Sequence, residues 1–246
     1  MKKLHALVLG ATGATGQQLV ALLLKDDAFS RVSILVRKNP HWEHPKLRIH
    51  EIDFSRLQDY RELVKGEVLF SALGTTLKDA GSKAQQYLVD YTYQFELAKM
   101  AAENHVSHYA LVSSTGSNKK SLFFYPKMKG ALEEAVKKLP FEQISIFQPP
   151  ILIRQPHLMR QGEKVGVKIF KTFTKMGLFK SQKPVSVAVL AQKMINEIKS
   201  NKTLGVKIYT PKDILLSYFW NTQIKNSDTR NLLGRWTCRS PTTIHH

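Results

Sequence analysis

Tyr125 and Lys129 stand four residues apart in Tyr-Pro-Lys-Met-Lys, so on a helix they share one face. Pro126 is tolerable between them because it would fall in the first turn. A tyrosine by itself is a poor acid or base near neutrality, and an ammonium one turn away favours its phenolate. Ser114 lies eleven residues before Tyr125, in Ser113-Ser-Thr115, and its hydroxyl can hydrogen-bond a substrate carbonyl. A third feature opens the chain: residues 4–16 are an apolar strand running into Gly10, Gly13 and Gly16, followed by a helical run. Glycine there lets the backbone approach a pyrophosphate closely, and the free N–H groups and dipole of the next helix face its charge. The following strand, 32–36, ends in Arg37-Lys38, where an acidic residue would hold the ribose hydroxyls of NAD and an arginine accommodates a 2′-phosphate. The expected cofactor is therefore NADP(H) rather than NAD(H). Tyrosine to protonate, serine to orient and a reduced nicotinamide to supply hydride would make a carbonyl reductase. A Tyr-x-x-x-Lys pair alone is a common accident in a lysine-rich chain, and the joint placement carries the reading.

These residues need a scaffold, and the apolar patterning supplies one. Strands are expected at 4–9, 32–36, 47–52, 67–73, 109–113 and 141–147, alternating with helices at 17–25, 57–64, 83–104 and 125–138. That order argues for an α/β fold, a doubly wound parallel sheet of Rossmann type, in which ligands collect at the carboxyl ends of the strands. Gly10, Arg37, Asp53, Gly74 and Ser113 all fall at such ends.

The glycine pattern, the strand end Leu111-Val-Ser-Ser114 and Tyr125-Pro-Lys-Met-Lys129-Gly130 resemble the short-chain dehydrogenase/reductase superfamily over residues 4 to about 215, and within it the atypical branch of the Tat-interacting oxidoreductase-like proteins. The resemblance implies bound NADPH, with Thr12, Gly13, Thr15, Gly16, Arg37, Asp53, Leu73, Gly74, Tyr125 and Lys129 matching the family's cofactor contacts. Asp53 would hold the adenine edge, and Leu73 and Gly74 would line the cofactor at the end of the fourth strand. Tyr125, Lys129 and Ser114 would be the catalytic set, with Ser113 and Thr115 as alternatives to Ser114. The asparagine of the family's tetrad has no counterpart in 92–100. Some relatives keep the nucleotide site yet act as redox sensors or partners of other proteins, so an NADP(H)-binding regulator with little turnover is the alternative function, and a protein partner belongs to it.

Composition bounds the rest. The 246 residues suffice for a single α/β domain, expected over 1–216. Cys238 is the sole cysteine, which excludes an internal disulfide and any cysteine-based metal site; His105 and His108 have no third ligand in reach, and no metal is expected. The start leads directly into the first strand, so a cytoplasmic location is expected, and no apolar run reaches the ~18 residues of a membrane span. Pro149 and Pro150 take the chain out of the sheet. Residues 150–185 are expected to form a substrate-lid region, in which seven cations from Arg160 to Lys183 interleave with apolar residues. A solvated face over the site, a cleft for an anionic substrate and an interfacial segment are the competing readings. The expected partner is a small carbonyl compound, with an anionic one among the options. The net charge of +18 keeps a nucleic-acid-binding basic protein as a remote alternative, against which stand the wide spread of the cations and the absence of a recognition motif. Residues 217–246 lack periodicity and read as a vector-derived or frameshifted tail. Glu133-Glu134 reads as a solvated face, and Trp42 as part of a loop near the adenine side.

Overall fold

The computed structural model describes residues 3–153, 184–200 and 204–215. The expected lid, apart from its two ends, and the expected tail lie outside them. Seven parallel strands form one sheet in the order β3-β2-β1-β4-β5-β6-β9: β1 (Leu4–Leu9), β2 (Phe29–Val36), β3 (Leu47–Glu51), β4 (Val68–Ser71), β5 (His108–Val112), β6 (Gln143–Phe147) and β9 (Gly205–Tyr209). A short parallel pair, β7 (Leu152–Ile153) with β8 (Val185–Ser186), stands apart. The chain steps outward from β1 through β2 to β3, then returns to place β4 on the other side of β1. That reversal opens a crevice beyond the carboxyl ends of β1 and β4, where doubly wound sheets bind ligands.

Both faces of the central strands are covered, which is why β1, β4 and β5 are largely buried and apolar, whereas the edge strands β3 and β9 keep exposed residues. Side chains alternate across the pleat. Ala6 and Val8 face α1 (Ala14–Lys25) and α6 (Val187–Ser200), packing with Leu19, Leu23, Met194 and Ile198. Leu7 and Leu9 face the other layer, α4 (Tyr93–Glu103) and α5 (Phe124–Val136), packing with Leu97, Ala101, Leu132 and Val136. Trp42, in the loop after β2, packs with the α1 layer, while the ring pair Phe54 and Tyr93 belongs to the opposite one.

Two connections differ from expectation. The segment expected to be an α-helix over 57–64 is a 3-10 helix, Phe54–Leu63, kinked at Arg56; it buries Phe54 and Leu57 and packs Tyr60 and Leu63 only partly against the core, a weak apolar stripe for a regular helix. The long helix after β4 is interrupted. Following the single turn α2 (Leu77–Ala80), α3 (Lys83–Tyr87) runs through a π-helical turn, Leu88–Thr92, into α4.

Candidate functional site

The turn between β1 and α1 is built around glycine. Gly10 has φ +79°, and a Cβ there would lie 2.5 Å from the Leu73 backbone nitrogen; a Cβ on Gly16 would lie 2.0 Å from the Gly10 carbonyl oxygen. The turn is closed by the Gly13 N–H donating to the Gly10 carbonyl at 3.0 Å. Helix α1 starts from Gly13 with no side-chain cap and no acidic residue in its first turn, so no carboxylate of its own first turn faces its N-terminal dipole. Gln17 Nε2 donates to the Thr12 carbonyl at 2.9 Å and fixes the loop crest. Leu73 and Gly74 reach the same place from β4, since the close approach at Gly10 is to Leu73 itself. The residues expected to hold a pyrophosphate, Gly10, Thr12, Gly13, Thr15 and Gly16, thus share one turn beside Leu73, and at Gly10 and Gly16 the neighbouring backbone leaves no room for a side chain.

Beyond β2 and β3 an open cleft of about 590 Å³ is lined by Arg37, Glu51, Asp53, Ser55, Tyr60 and Tyr93, among others. Asp53 caps the 3-10 helix, accepting from the Ser55 N–H at 2.8 Å and the Ser55 hydroxyl at 2.7 Å. Those bonds hold its carboxyl below the usual aspartate range. Arg37 is exposed at the rim, as a 2′-phosphate ligand would be. Glu51 was missed by sequence reasoning, which found no acid beside Arg37. Its strand pairs with β2 in register with Val36, which brings the carboxylate alongside from another part of the chain.

The second half of the site gathers around Lys129. Its side chain is 3 % exposed and pairs at 3.2 Å with Asp90, which is 1 % exposed. Burial disfavours the ammonium, but Tyr125 and the Asp90 carboxylate outweigh it and raise Lys129 above the ordinary lysine range, so the lysine stays charged in a dry setting. Asp90 also accepts the Thr75 N–H at 2.8 Å, tying the end of β4 to α5. Gln94 supports it, donating to the Asp90 carbonyl at 2.7 Å and accepting from Ser71 at 2.8 Å. Asp90 sits inside the π turn, upstream of the window searched for an asparagine. Its one sequence signal is an acid flanked by Leu88, Val89 and Tyr91. The Lys129 ammonium lies 6.0 Å from the Tyr125 ring centre, and Tyr125 is 39 % exposed at the mouth.

The hydroxyls after β5 are unequally engaged. Ser113 is buried and donates to Glu133, whose carboxylate also accepts Gln148 Nε2 at 3.0 Å on each oxygen. Thr115 Oγ1 donates to the carbonyls of Gln148 and Pro149, both at 3.0 Å. Among the described residues, Ser114 makes only a long 3.3 Å bond to the Thr115 carbonyl and has the least committed hydroxyl of the three. Glu133 is 4 % exposed, which overturns its reading as half of a solvated pair; Glu134 alone faces outward, with Lys137 at 2.7 Å.

Comparison with known proteins agrees with this geometry. Residues 10–140 match a family described as NAD(P)H-binding. Protein HTATIP2 of Rattus norvegicus is 30% identical over 219 residues, covering 87% of this chain and 89% of that protein. FMP52-1, mitochondrial, of Scheffersomyces stipitis is 30% identical over 227 residues, covering 87% and 99%. Among solved structures, the Bordetella bronchiseptica enzyme WbmH in complex with NAD+ superposes with TM-score 0.63 at 15% identity, covering 85% of this chain and 75% of that one, a likeness of fold. The fungal relatives correct one expectation: FMP52-1 and fmp52-2 of Aspergillus oryzae are named as mitochondrial proteins, which points against a cytoplasmic location. A chain with one cysteine forms no internal disulfide, and that property does not distinguish one thiol-preserving compartment from another.

Proposed function

The chain belongs to the NAD(P)H-binding family, in the atypical branch of the short-chain dehydrogenase/reductases that holds the Tat-interacting-protein relatives, and we propose that it is an NADP(H)-dependent carbonyl reductase. The observation that carries the reading is the buried Lys129 ammonium, held by Asp90 directly beneath Tyr125 at the crevice where the glycine turn ends. Gly10, Thr12, Gly13, Thr15 and Gly16 would hold the pyrophosphate, Asp53 the adenine edge, Arg37 the 2′-phosphate, Leu73 and Gly74 the middle of the dinucleotide, and Tyr125 and Lys129 the ribose of the nicotinamide. The reduced nicotinamide, when bound, supplies the hydride. Ser114 orients the substrate carbonyl by donating its hydroxyl. Tyr125 gives its phenolic proton to the carbonyl oxygen, and the adjacent Lys129 charge stabilises the phenolate left behind. The exposure of Tyr125 lets the phenolate recover a proton from water. The mitochondrial names of the fungal relatives support a mitochondrial address.

Titration of the protein with NADPH and NADH, followed by nucleotide fluorescence, tests the cofactor. NADPH is expected to bind more tightly, and Arg37→Ala to weaken NADPH by about tenfold, worth ~1.4 kcal/mol, while leaving NADH nearly unchanged. Equal loss of both nucleotides in the variant would remove the 2′-phosphate role and leave Glu51 as the residue that decides the cofactor.

A further inference from the structure

Large apolar side chains left in water are concentrated on this molecule. Among the described residues, Leu77, Tyr87, Leu122, Phe123, Tyr125 and Ile151 are exposed, and each lies on a segment leaving the carboxyl end of β4, β5 or β6. The other three, Leu204, Val206 and Ile208, lie in or beside the edge strand β9. Hydrogen bonds join the three segments. Asp90 links Thr75 to Lys129, the Thr115 N–H donates to the Pro149 carbonyl at 3.1 Å, and the Asn118 N–H donates to the Pro126 carbonyl at 3.0 Å. Lys83 lies 5.7 Å from the Phe124 ring centre, bringing the start of α3 to the start of α5. The apolar groups therefore lie on segments that are tied to one another, and Leu122 and Phe123 adjoin Tyr125 in the chain. Leu122 is 99 % exposed and Phe123 55 %, exposures that a monomer rarely gives adjacent large apolar residues unless they meet a ligand or partner. Residues 104–132 carry no acid, and Lys120 and Lys127 are exposed on either side, so the cations flank the apolar surface rather than cross it.

We infer that the substrate is an apolar carbonyl compound, an aldehyde or ketone whose carbonyl meets Tyr125 and Ser114 while its hydrocarbon body lies against Leu122 and Phe123. The inference rests on the reductase reading for the carbonyl end. The apolar surface itself stands on exposure and placement alone. An occupant of this kind follows from the position of the patch: Tyr125, which carries the proposed chemistry, is one of its exposed members, with Phe123 and Leu122 two and three residues before it in the chain.

The test is steady-state reduction of butanal, hexanal, octanal and decanal by NADPH, with wild type, the double variant Leu122→Ser/Phe123→Ser, and Tyr125→Phe. The wild-type kcat/KM is expected to rise about two- to fourfold per methylene, the factor that partial to full burial of each group supplies. In the double variant that slope should flatten while NADPH still binds, and Tyr125→Phe should lose turnover with every aldehyde. A flat slope in wild type, or an unchanged slope in the double variant, overturns the inference. A second arm separates it from the reductase reading: binding of octan-1-ol and butan-1-ol to NADPH-loaded protein by saturation-transfer NMR. Octanol binding that is lost in the double variant, with no aldehyde reduced, upholds the apolar surface and overturns the reductase. If neither alcohol binds and the double variant instead loses co-sedimentation with vesicles of anionic phospholipid, the patch docks on a bilayer and the inference fails.

Discussion

Lys129 and Tyr125 are one helical turn apart and live in different media, one sealed beneath the loops, the other open at the mouth. The lysine remains an ammonium there because Tyr125 and the Asp90 carboxylate beside it outweigh the cost of burial. Removing one member of a buried ion pair strands the other charge and costs about 3–5 kcal/mol. Asp90→Leu is therefore expected to lower the urea-unfolding free energy by about that amount, and Asp90→Asn, which retains an acceptor for Thr75, by less. Equal stability of wild type and Asp90→Leu would mean that Lys129 reaches water by another route. The same burial explains why Asp90 was not legible in the sequence: nothing in Leu-Val-Asp-Tyr-Thr states which of five residues the wide turn presses against α5. Glu133 was misread for a simpler reason. Neighbouring helix residues point about 100° apart, so a pair can straddle the edge of the buried face, and Glu133 falls on that face with Leu132 and Val136 while Glu134 does not.

At the scale of elements, the glycine turn was the most readable part of the chain, because its requirements are steric and local. Gly16 has no space for a methyl group against the Gly10 carbonyl, so Gly16→Ala is expected to push the turn open and weaken NADPH by tenfold or more, with the far-UV circular dichroism preserved. Retained affinity would show that the turn can yield without disturbing the nucleotide. The strands β1 to β6 and the helices α1 and α5 were equally plain, since buried parallel strands are nearly continuous apolar runs and the helices carry apolar residues at turn spacing, whereas α6 was not among the expected elements. What the periodicity did not show was quality of helix: the 3-10 segment after Asp53 and the π turn before α4 depend on which long-range partner each residue meets. Glu51 belongs with these, because its place beside Arg37 is set by pairing between strands distant in sequence.

For the whole molecule, the sheet order follows from alternating strands and helices together with the preference for short, one-handed crossovers, and it fixes the crevice before any side chain is considered. The histidines of the sheet give the molecule a pH dependence. His5 is lowered by burial and then by Arg31, against a smaller pull from Glu67, and its ring lies 2.9 Å from Ser33 Oγ; His50 is lowered by burial. Groups depressed in the folded state lend stability that is complete above the unfolded imidazole value of 6.5 and is lost as pH falls through the lower folded values. The melting temperature is expected to fall by roughly 1–4 °C between about pH 7.5 and about pH 5.5, and His5→Gln to reduce that fall. An identical slope in the variant would assign the acid sensitivity to other groups.

The π turn at Leu88–Thr92 has a meaning for how such a chain changes over generations. A helix of this kind contains one residue more than its hydrogen bonding needs, the mark of a single inserted codon. Deleting that codon would heal the helix locally, yet it would swing one half by about 100° against the other and turn Asp90 or the α4 core face away from its partners. The lineage can lose the extra residue only by giving up the lysine it guards, so the irregularity should persist wherever the chemistry does.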